Sequence, residues 1–408
     1  MSSDFPTPGL KRRTRKGGPD VPVWVARADL VMQGYEPKTV RLPYRLDEPD
    51  DAALLSATCL RLQAEMLEWS SGKKRDPNRF DGTLVSLSRR YQTDEASPFN
   101  TNMKHNTRRT ALSTLRLIEK AFGQRVLAHL KNEDFRRWYN EAKKPKDPGG
   151  PERIRRAYGI IKKLRELFAY GIMDELPDCQ RLHTVLSQAR YSQPVRRRIA
   201  MQLAHVEAFA TKAQEMGRLS LALATAIQFE TALRQRDVIG EWMPITDGSE
   251  AAGIVINGRR WQNGLTWSDL AADLVIRKAK TKTGAFAAHD LKLCPIVLDL
   301  LKHVPTDRRV GPLIINEATG KPYAEWVFTR EWRKVAKAAG VPDEVRNMDA
   351  RAGAITEGDE ADADLDSLKT VAAHATTSTT ARYVRGGLGK SRAVANLRLK
   401  HRASQNGA

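Results

Sequence analysis

Five residues in the C-terminal half of this 408-residue chain are of types that handle phosphate chemistry: Arg234, Lys282, Arg351, His374 and Tyr383. Arg234 leaves a strongly apolar stretch (Leu219, Leu221, Leu223, Ile227, Phe229) within Thr231-Ala-Leu-Arg234. An arginine at such a place goes either to a salt-bridge partner, with Asp237 at hand, or to a ligand anion. Lys280 and Lys282 flank Thr281 just ahead of Gly284. A lysine at a hairpin tip is a soluble turn, but over a reacting phosphate its ammonium can protonate a leaving alkoxide. Arg351 is followed by Ala352, Gly353 and Ala354, small residues that allow either a tight helix pair or close approach of the guanidinium to a ligand. His374 precedes a Thr/Ser-rich turn, and Tyr383 follows nine positions later (383 − 374) between Arg382 and Arg385. Read alone, that pair is a helix cap and a core ring.

The elements that must carry these residues are mostly helical. Leu54, Leu55, Cys59, Leu62, Met66 and Trp69 recur at helical spacing and predict a helix over 52–70. From 83 to 174 the pattern predicts four or five short helices and no strand. Among them is one over 106–122, with Leu112, Leu115, Ile118, Ala121 and Phe122 inward and Gly123 as its stop. Another over 152–170 turns Ile154, Tyr158, Ile161, Leu164, Leu167 and Phe168 inward. Its other face carries Arg153, Arg155, Arg156, Lys162, Lys163 and Arg165, an unbalanced positive face suited to phosphates. A linker over 177–198 ends in Arg196-Arg197-Arg198, placed to touch a polyanion. Two core helices over 204–216 and 219–230 open a second domain. Strands follow over 253–256, 274–280 and 290–293, then helices over 296–301 and 326–339, and a helical end from 348 to 383. Residues 1–20 read as a disordered tail with the basic run Lys11-Arg12-Arg13-Thr14-Arg15-Lys16, and 21–48 as an irregular or β-containing arm.

The balance of charges says what the partner is. The net charge is +20, with 41% hydrophobic and 28% charged residues, a globular composition that favours a polyanion. No run approaches the roughly 18 apolar residues of a membrane span, and the N-terminus shows no apolar signal core. Nucleic acid is therefore preferred over a membrane surface. Cys59, Cys179 and Cys294 are far apart, with no Cys-x-x-Cys pair, so neither a disulfide framework nor a structural zinc site is expected. The acidic run from Glu357 to Asp366 lacks the glycine and terminal glutamate of a calcium loop and reads as solvated surface or a partner contact.

In order, Thr231-Ala-Leu-Arg234 with Asp237-Val-Ile, Lys282-Thr-Gly284, Asp349-Ala-Arg351, and Ala373-His374 followed by Tyr383 resemble the tyrosine recombinase (phage-type integrase) family over residues 83–390. The resemblance implies a fold that is mainly α with a small β-sheet: an all-α SAM-like core-binding domain plus a mixed α/β catalytic domain. The implied organisation is a basic flexible arm (1–50), a helical extension (51–82), the core-binding domain (83–176), the linker (177–198), the catalytic domain (199–390) and a basic tail (391–408). It implies Tyr383 as nucleophile on a DNA phosphodiester, giving a 3′-phosphotyrosyl bond and a free 5′-hydroxyl with no cofactor or metal. Arg234 and Arg351 would clamp the phosphorane, His374 would hydrogen-bond it, and Lys282, or else Lys280, would be the general acid. Removing one such donor costs on the order of 10²–10³ in rate. Arg108, Arg109, Arg155, Arg156, Lys162, Arg196 and Arg197 would contact DNA. Partners implied are double-stranded attachment sites, three further copies of the chain in a tetramer on DNA, and accessory DNA-bending or directionality factors, in a cytoplasmic, nucleoid-associated setting.

One position departs from the family pattern. Where that family has a histidine three residues before the second arginine, this chain has Met348, and a thioether exchanges no proton. Either a neighbour or water takes the role, or activity is reduced, or the chain only binds DNA. A non-catalytic DNA-binding protein is thus one alternative reading. A type IB topoisomerase-like enzyme is another, disfavoured by a tail beyond Tyr383 suited to a neighbouring subunit.

Overall fold

Helical spacing of apolar residues dominates the chain, and the computed structural model is correspondingly helix-rich with several small sheets. It describes residues 5–15, 18–46, 48–72, 79–245, 253–270, 273–279, 286–384, 391, 394–400 and 402. The chain divides into two compact units, Met1–Val195 and Arg196–Ala408.

In the first unit β1 (Leu10–Arg15) and β2 (Gly18–Val25) pair antiparallel, with Leu10 opposite Trp24. After α1 (Ala28–Met32), β3 (Thr39–Arg41) pairs with β2. Within the tail expected to be disordered over 1–20, Leu10–Arg15 is instead a strand, paired with Gly18–Val25. Its basic side chains Lys11, Arg12 and Arg13 are exposed on an edge strand, where charge deters further pairing, so the strand carries little apolar signal of its own. Trp24, Tyr35 and Leu42 bury against Leu55, Cys59, Leu62 and Met66 of α2 (Pro49–Ser70). The 52–70 periodicity thus serves to cover this sheet.

A second core gathers α3 (Leu84–Thr93), α4 (Pro98–Thr101), α5 (His105–Phe122), α6 (Asn132–Lys143), α7 (Ile154–Met173) and α8 (Cys179–Gln188). Among the described residues it contains no strand, only the isolated bridge between Thr83 and Val126. Helix α7 is central, with Ile160, Ile161, Leu164, Leu167 and Phe168 buried. Its solvated face is narrower than the sequence suggests. Lys163 is buried against Glu166 and lies over the Tyr91 ring, and Arg165 donates to the Leu186 and Ala189 carbonyls at the end of α8.

The second unit is organised on α10 (Leu219–Thr231). Residues 220–229 are buried all round, as expected of a helix that is apolar on every face. Around it pack α9 (Leu203–Glu215), α11 (Gln235–Ile239), α12 (Pro295–Lys302), α13 (Glu325–Ala338) and α14 (Ala350–Glu360). The Trp332 indole N–H of α13 donates to Thr225 Oγ1 of α10 at 3.0 Å, and its ring stacks on Phe209 of α9. Strands β4 (Glu241–Pro244), β5 (Val255–Ile256) and β6 (Arg259–Gln262) form a sheet in the order β4-β6-β5, and β7 (Val275–Ala279) pairs with β8 (Phe286–Asp290). The strand expected over 290–293 lies earlier: pairing ends at Asp290, and Leu291–Leu293 is a 3₁₀ turn begun by the Asp290 carboxylate accepting from the Lys292 N–H. A short pair, β9 (Ile315–Asn316) and β10 (Lys321–Pro322), precedes α13; α15 (Leu365–Ala372) and α16 (Thr377–Ala381) follow α14. Residues 394–400 are helical, with Val394, Leu397 and Leu399 exposed.

Candidate active site

Arg234 is placed by the end of α10. Ala232 adopts a left-handed φ of 50°, turning the chain and aiming its carbonyl at Arg351. Arg234 then caps α11, its N–H donating to the carboxylate of fully buried Asp237 at 3.3 Å. Its guanidinium Nη1 stands 3.8 Å from the same carboxylate and has no hydrogen-bond partner among the described residues. The two alternatives for Arg234 are thus combined: a loose ion pair holds it and leaves a buried N–H unsatisfied.

Arg351 sits in the first turn of α14 and is 3% exposed. The small residues after it serve packing: a Cβ on Gly353 would lie 2.1 Å from the Met201 carbonyl oxygen and 2.7 Å from the Phe229 ring. The Arg351 guanidinium donates to the Ala232 and Ala372 carbonyls and to His374 Nε2 at 2.6 Å, while its Nε has no hydrogen-bond partner among the described residues. Burial, and then the neighbouring charge of Arg234, push the guanidinium down to about 10, opposed by the Tyr383 phenol and Asp237. Such a cation is short of anion.

His374 is delivered by the way α15 ends. Ala373 takes a left-handed φ of 39°; its N–H returns to Thr370 O and that of His374 to Lys369 O, both at 2.9 Å, closing a Schellman motif. Because a guanidinium has only donors, His374 Nε2 accepts from Arg351. Nδ1 therefore carries the proton and donates to Thr380 Oγ1 at 3.0 Å. Thr380, wholly buried in α16, holds the ring in place, while the Arg351 donor sets its tautomer.

Tyr383 follows α16 directly, its N–H bonded to Thr380 O at 2.8 Å and its carbonyl accepting from Thr356 Oγ1 at 3.1 Å. Its ring stacks on His374 with centroids 5.0 Å apart, and the Arg351 guanidinium carbon lies 5.4 Å from its centroid. The rest of the ring packs on a small apolar cluster of Ala232, Ile355, Leu368 and Ala372. Four of the five expected residues thus belong to one site built from the ends of α10, α14, α15 and α16. Lys282 and its alternative Lys280 fall outside the described residues; the hairpin strands that flank them, β7 and β8, are present. Met348 is 57% exposed on a 3₁₀ turn, and its neighbour Asn347 is buried, accepting from Gln235 Nε2 at 3.0 Å.

The expected DNA-contacting cations divide. Arg109, Arg155, Lys162 and Arg196 are exposed. Arg156 is half-buried, its charge disfavoured by burial and by Arg153. Arg108 donates to the Phe99, Asn100 and Met103 carbonyls and lies over the Phe99 ring. Arg197 is bound to Asp349. Thr380, Thr356 and the Ala232 carbonyl were not singled out from the sequence. Among the described residues no group of three or more His, Cys, Asp or Glu side chains is placed to hold a metal ion, and no helix is long and apolar enough to cross a membrane.

Against solved structures, the chain matches a lambda integrase dimer bound to a COC′ core site over 95% of this chain and 96% of that one, with TM-score 0.57 and 18% identity. It shares the fold of lambda integrase. A lambda integrase tetramer bound to a Holliday junction matches over 95% and 98%, with TM-score 0.55 and 17% identity. The Tn1549 transposon integrase in complex with transposon right end DNA matches over 78% and 99%, with TM-score 0.54 and 14% identity. The mainly helical fold, with an all-helical core over 84–188 and a mixed α/β second unit, is therefore the integrase fold the sequence resemblance implied. No protein-family model and no curated protein matches the chain.

Proposed function

We propose that the chain is a site-specific DNA recombinase of the tyrosine type, serving integration or excision of a phage or other mobile element. The observation that carries this reading is the cluster of Arg351, Arg234, His374 and Tyr383: one buried and one half-buried cation, each with a buried N–H unsatisfied among the described residues, beside one phenol. Such a pocket selects an anion, and a phosphodiester brings both the anion and an electrophile within reach of the phenol. The fold likeness to integrases solved on DNA supports the same reading.

In the proposed reaction the Tyr383 oxygen attacks the phosphorus of a DNA phosphodiester and loses its proton to a neighbouring group or water. The P–O5′ bond breaks, leaving a 3′-phosphotyrosyl link and a 5′-hydroxyl whose oxygen takes a proton from Lys282 or Lys280. Arg234 and Arg351 bind the non-bridging oxygens, and His374 joins them. The bond energy stays in the covalent link, so rejoining needs no nucleotide cofactor. Four copies on two duplexes would exchange strands, in the cytoplasm and on nucleoid DNA, with accessory factors setting direction.

The test is covalent capture. Duplexes are selected from a random-sequence pool for binding to the full chain, nicked beside the cleavage site so that the short product diffuses away, and incubated with the protein. A shifted band on a denaturing gel is expected, and it should be absent in Tyr383→Phe. Tight binding with no adduct would favour the non-catalytic DNA-binding alternative, for which Met348 is the specific observation.

A further inference from the structure

We propose that Arg197 is a positioning residue for Arg351, acting through Asp349, rather than a DNA contact; this rests on the recombinase reading above. Arg197 Nε donates to Asp349 Oδ1 at 2.7 Å and Nη2 to Oδ2 at 2.5 Å, a two-pronged pair across 152 positions of sequence. The same Nη2 also reaches the Glu344 carbonyl. Asp349 is 3% exposed and stands two residues before Arg351, at the start of α14. Among the described residues its carboxylate makes one further bond, from the Arg346 N–H at 2.8 Å.

The backbone of the same entering segment completes the brace. Met201 N–H donates to Asp349 O at 3.2 Å, and the Met201 carbonyl presses against Gly353 of α14. Residues 197–201 therefore hold the turn 344–349 and the first turn of α14 at both side chain and backbone. Without Arg197, Asp349 would be a buried carboxylate left, among the described residues, with the Arg346 N–H, and such a group forces its surroundings to rearrange or to admit water. The side chain two residues on is Arg351, whose bonds to Ala232 O, Ala372 O and His374 depend on that helix start. A misplacement on the order of 1 Å in a site of this kind is enough to cost about 10²-fold in rate. The two readings of Arg197 separate cleanly. A phosphate contact contributes to affinity and to its salt dependence, whereas a positioning residue contributes to the rate at saturation.

The experiment compares parent, Arg197→Ala, Arg197→Lys and Arg197→Ala/Asp349→Asn on a selected duplex. It measures dissociation constants across a salt series and single-turnover adduct formation at saturating DNA, below each variant's melting temperature. For Arg197→Ala we expect affinity within about 2-fold of the parent, an unchanged salt slope, and a saturated rate lower by about 10-fold or more. Arg197→Lys should lie between. Asp349→Asn in the Ala background should restore part of the rate, because it removes the orphaned charge. The defect should also shrink on a duplex with a neutral methylphosphonate at the reacting position, which relies less on Arg351; general structural damage would not respond to that substitution. A salt slope shallower by about 0.9 with an unchanged saturated rate would make Arg197 a phosphate contact and overturn the inference. A parent that binds but forms no adduct overturns the recombinase reading and this inference with it. A parent that forms adduct while Arg197→Ala matches its rate overturns this inference alone. If Arg197→Ala does not fold, the Lys and double variants carry the comparison.

Discussion

Met348 stands three residues before Arg351, the central guanidinium of the Arg234, Arg351, His374 and Tyr383 cluster, and is 57% exposed. Its thioether can neither donate nor accept a proton usefully, so on the proposed mechanism the phenol proton of Tyr383 leaves without help from this position. Replacing it with a general acid–base group should therefore help. We expect Met348→His to raise the single-turnover rate of adduct formation near pH 7 by about 10-fold or more, within the range general base catalysis contributes. An unchanged or lower rate would mean that a neighbour already fills the role. His374 is differently constrained. Its Nε2 accepts from Arg351 and its Nδ1 donates to Thr380, so at rest it is neutral and tautomerically fixed. To donate to a phosphate oxygen, Nε2 must give up the Arg351 bond and carry a proton, by protonation of the ring or by a change of tautomer in which the Thr380 hydroxyl donates to Nδ1; an incoming anion favours this by drawing Arg351 toward itself.

The site is made from the ends of helices, and its precision depends on how those ends stop. Ala232 and Ala373 both take left-handed conformations, each directing its local carbonyls toward Arg351. The approach of 197–201 to α14 is as exacting. At Gly353 a methyl group would meet the Met201 carbonyl at 2.1 Å. Gly353→Ala should destabilise the fold by about 1–3 kcal/mol, the usual cost of overpacking, read as a lower melting temperature; an unchanged melting temperature would show that the segment yields. The long helices are legible in the sequence, because residues such as Leu115, Ile118, Leu164 and Phe168 repeat at helical spacing and are buried, whereas the five-residue helices α1 and α11 are too short to show a period. The small size of residues 352–354 is plain in the sequence, but the packing of Gly353 on Met201 is not, since that contact joins positions about 150 apart. Thr380 was one of several threonines and serines in a polar turn, and only the fold distinguishes the one that faces His374. The pairing of Leu10–Arg15 with Gly18–Val25 is illegible in the sequence because the first strand is mostly charged, and Leu291 and Leu293 alternate like strand residues although they lie within a 3₁₀ turn. Arg197 and Arg108 illustrate a further limit: sequence shows a cation, not whether a carboxylate or a carbonyl already holds it.

Across the whole molecule the excess of 20 positive charges is the broadest support for a polyanionic partner. Exposed Arg109, Arg155, Lys162 and Arg196 supply part of it. If these groups neutralise phosphates, the logarithm of the association constant should fall with the logarithm of salt concentration by about 0.9 per contact, and six to ten contacts lose about 10³–10⁵ in affinity between 50 and 200 mM salt. Arg155→Ala should lower that slope by about 0.9 with little change in the cleavage rate at saturation. Binding indifferent to salt would remove DNA as the partner. The central claim is narrower than DNA binding: one phenol, Tyr383, becomes bonded to phosphate. The chain has nine tyrosines, so the claim can be read at residue level. The trapped complex would be digested with nuclease and protease and the nucleotide-bearing peptide sequenced by mass spectrometry. The account predicts a single modified residue, Tyr383, and no adduct in Tyr383→Phe. A phosphonucleotide on any other residue, or none from a protein saturated with its selected duplex, would contradict it.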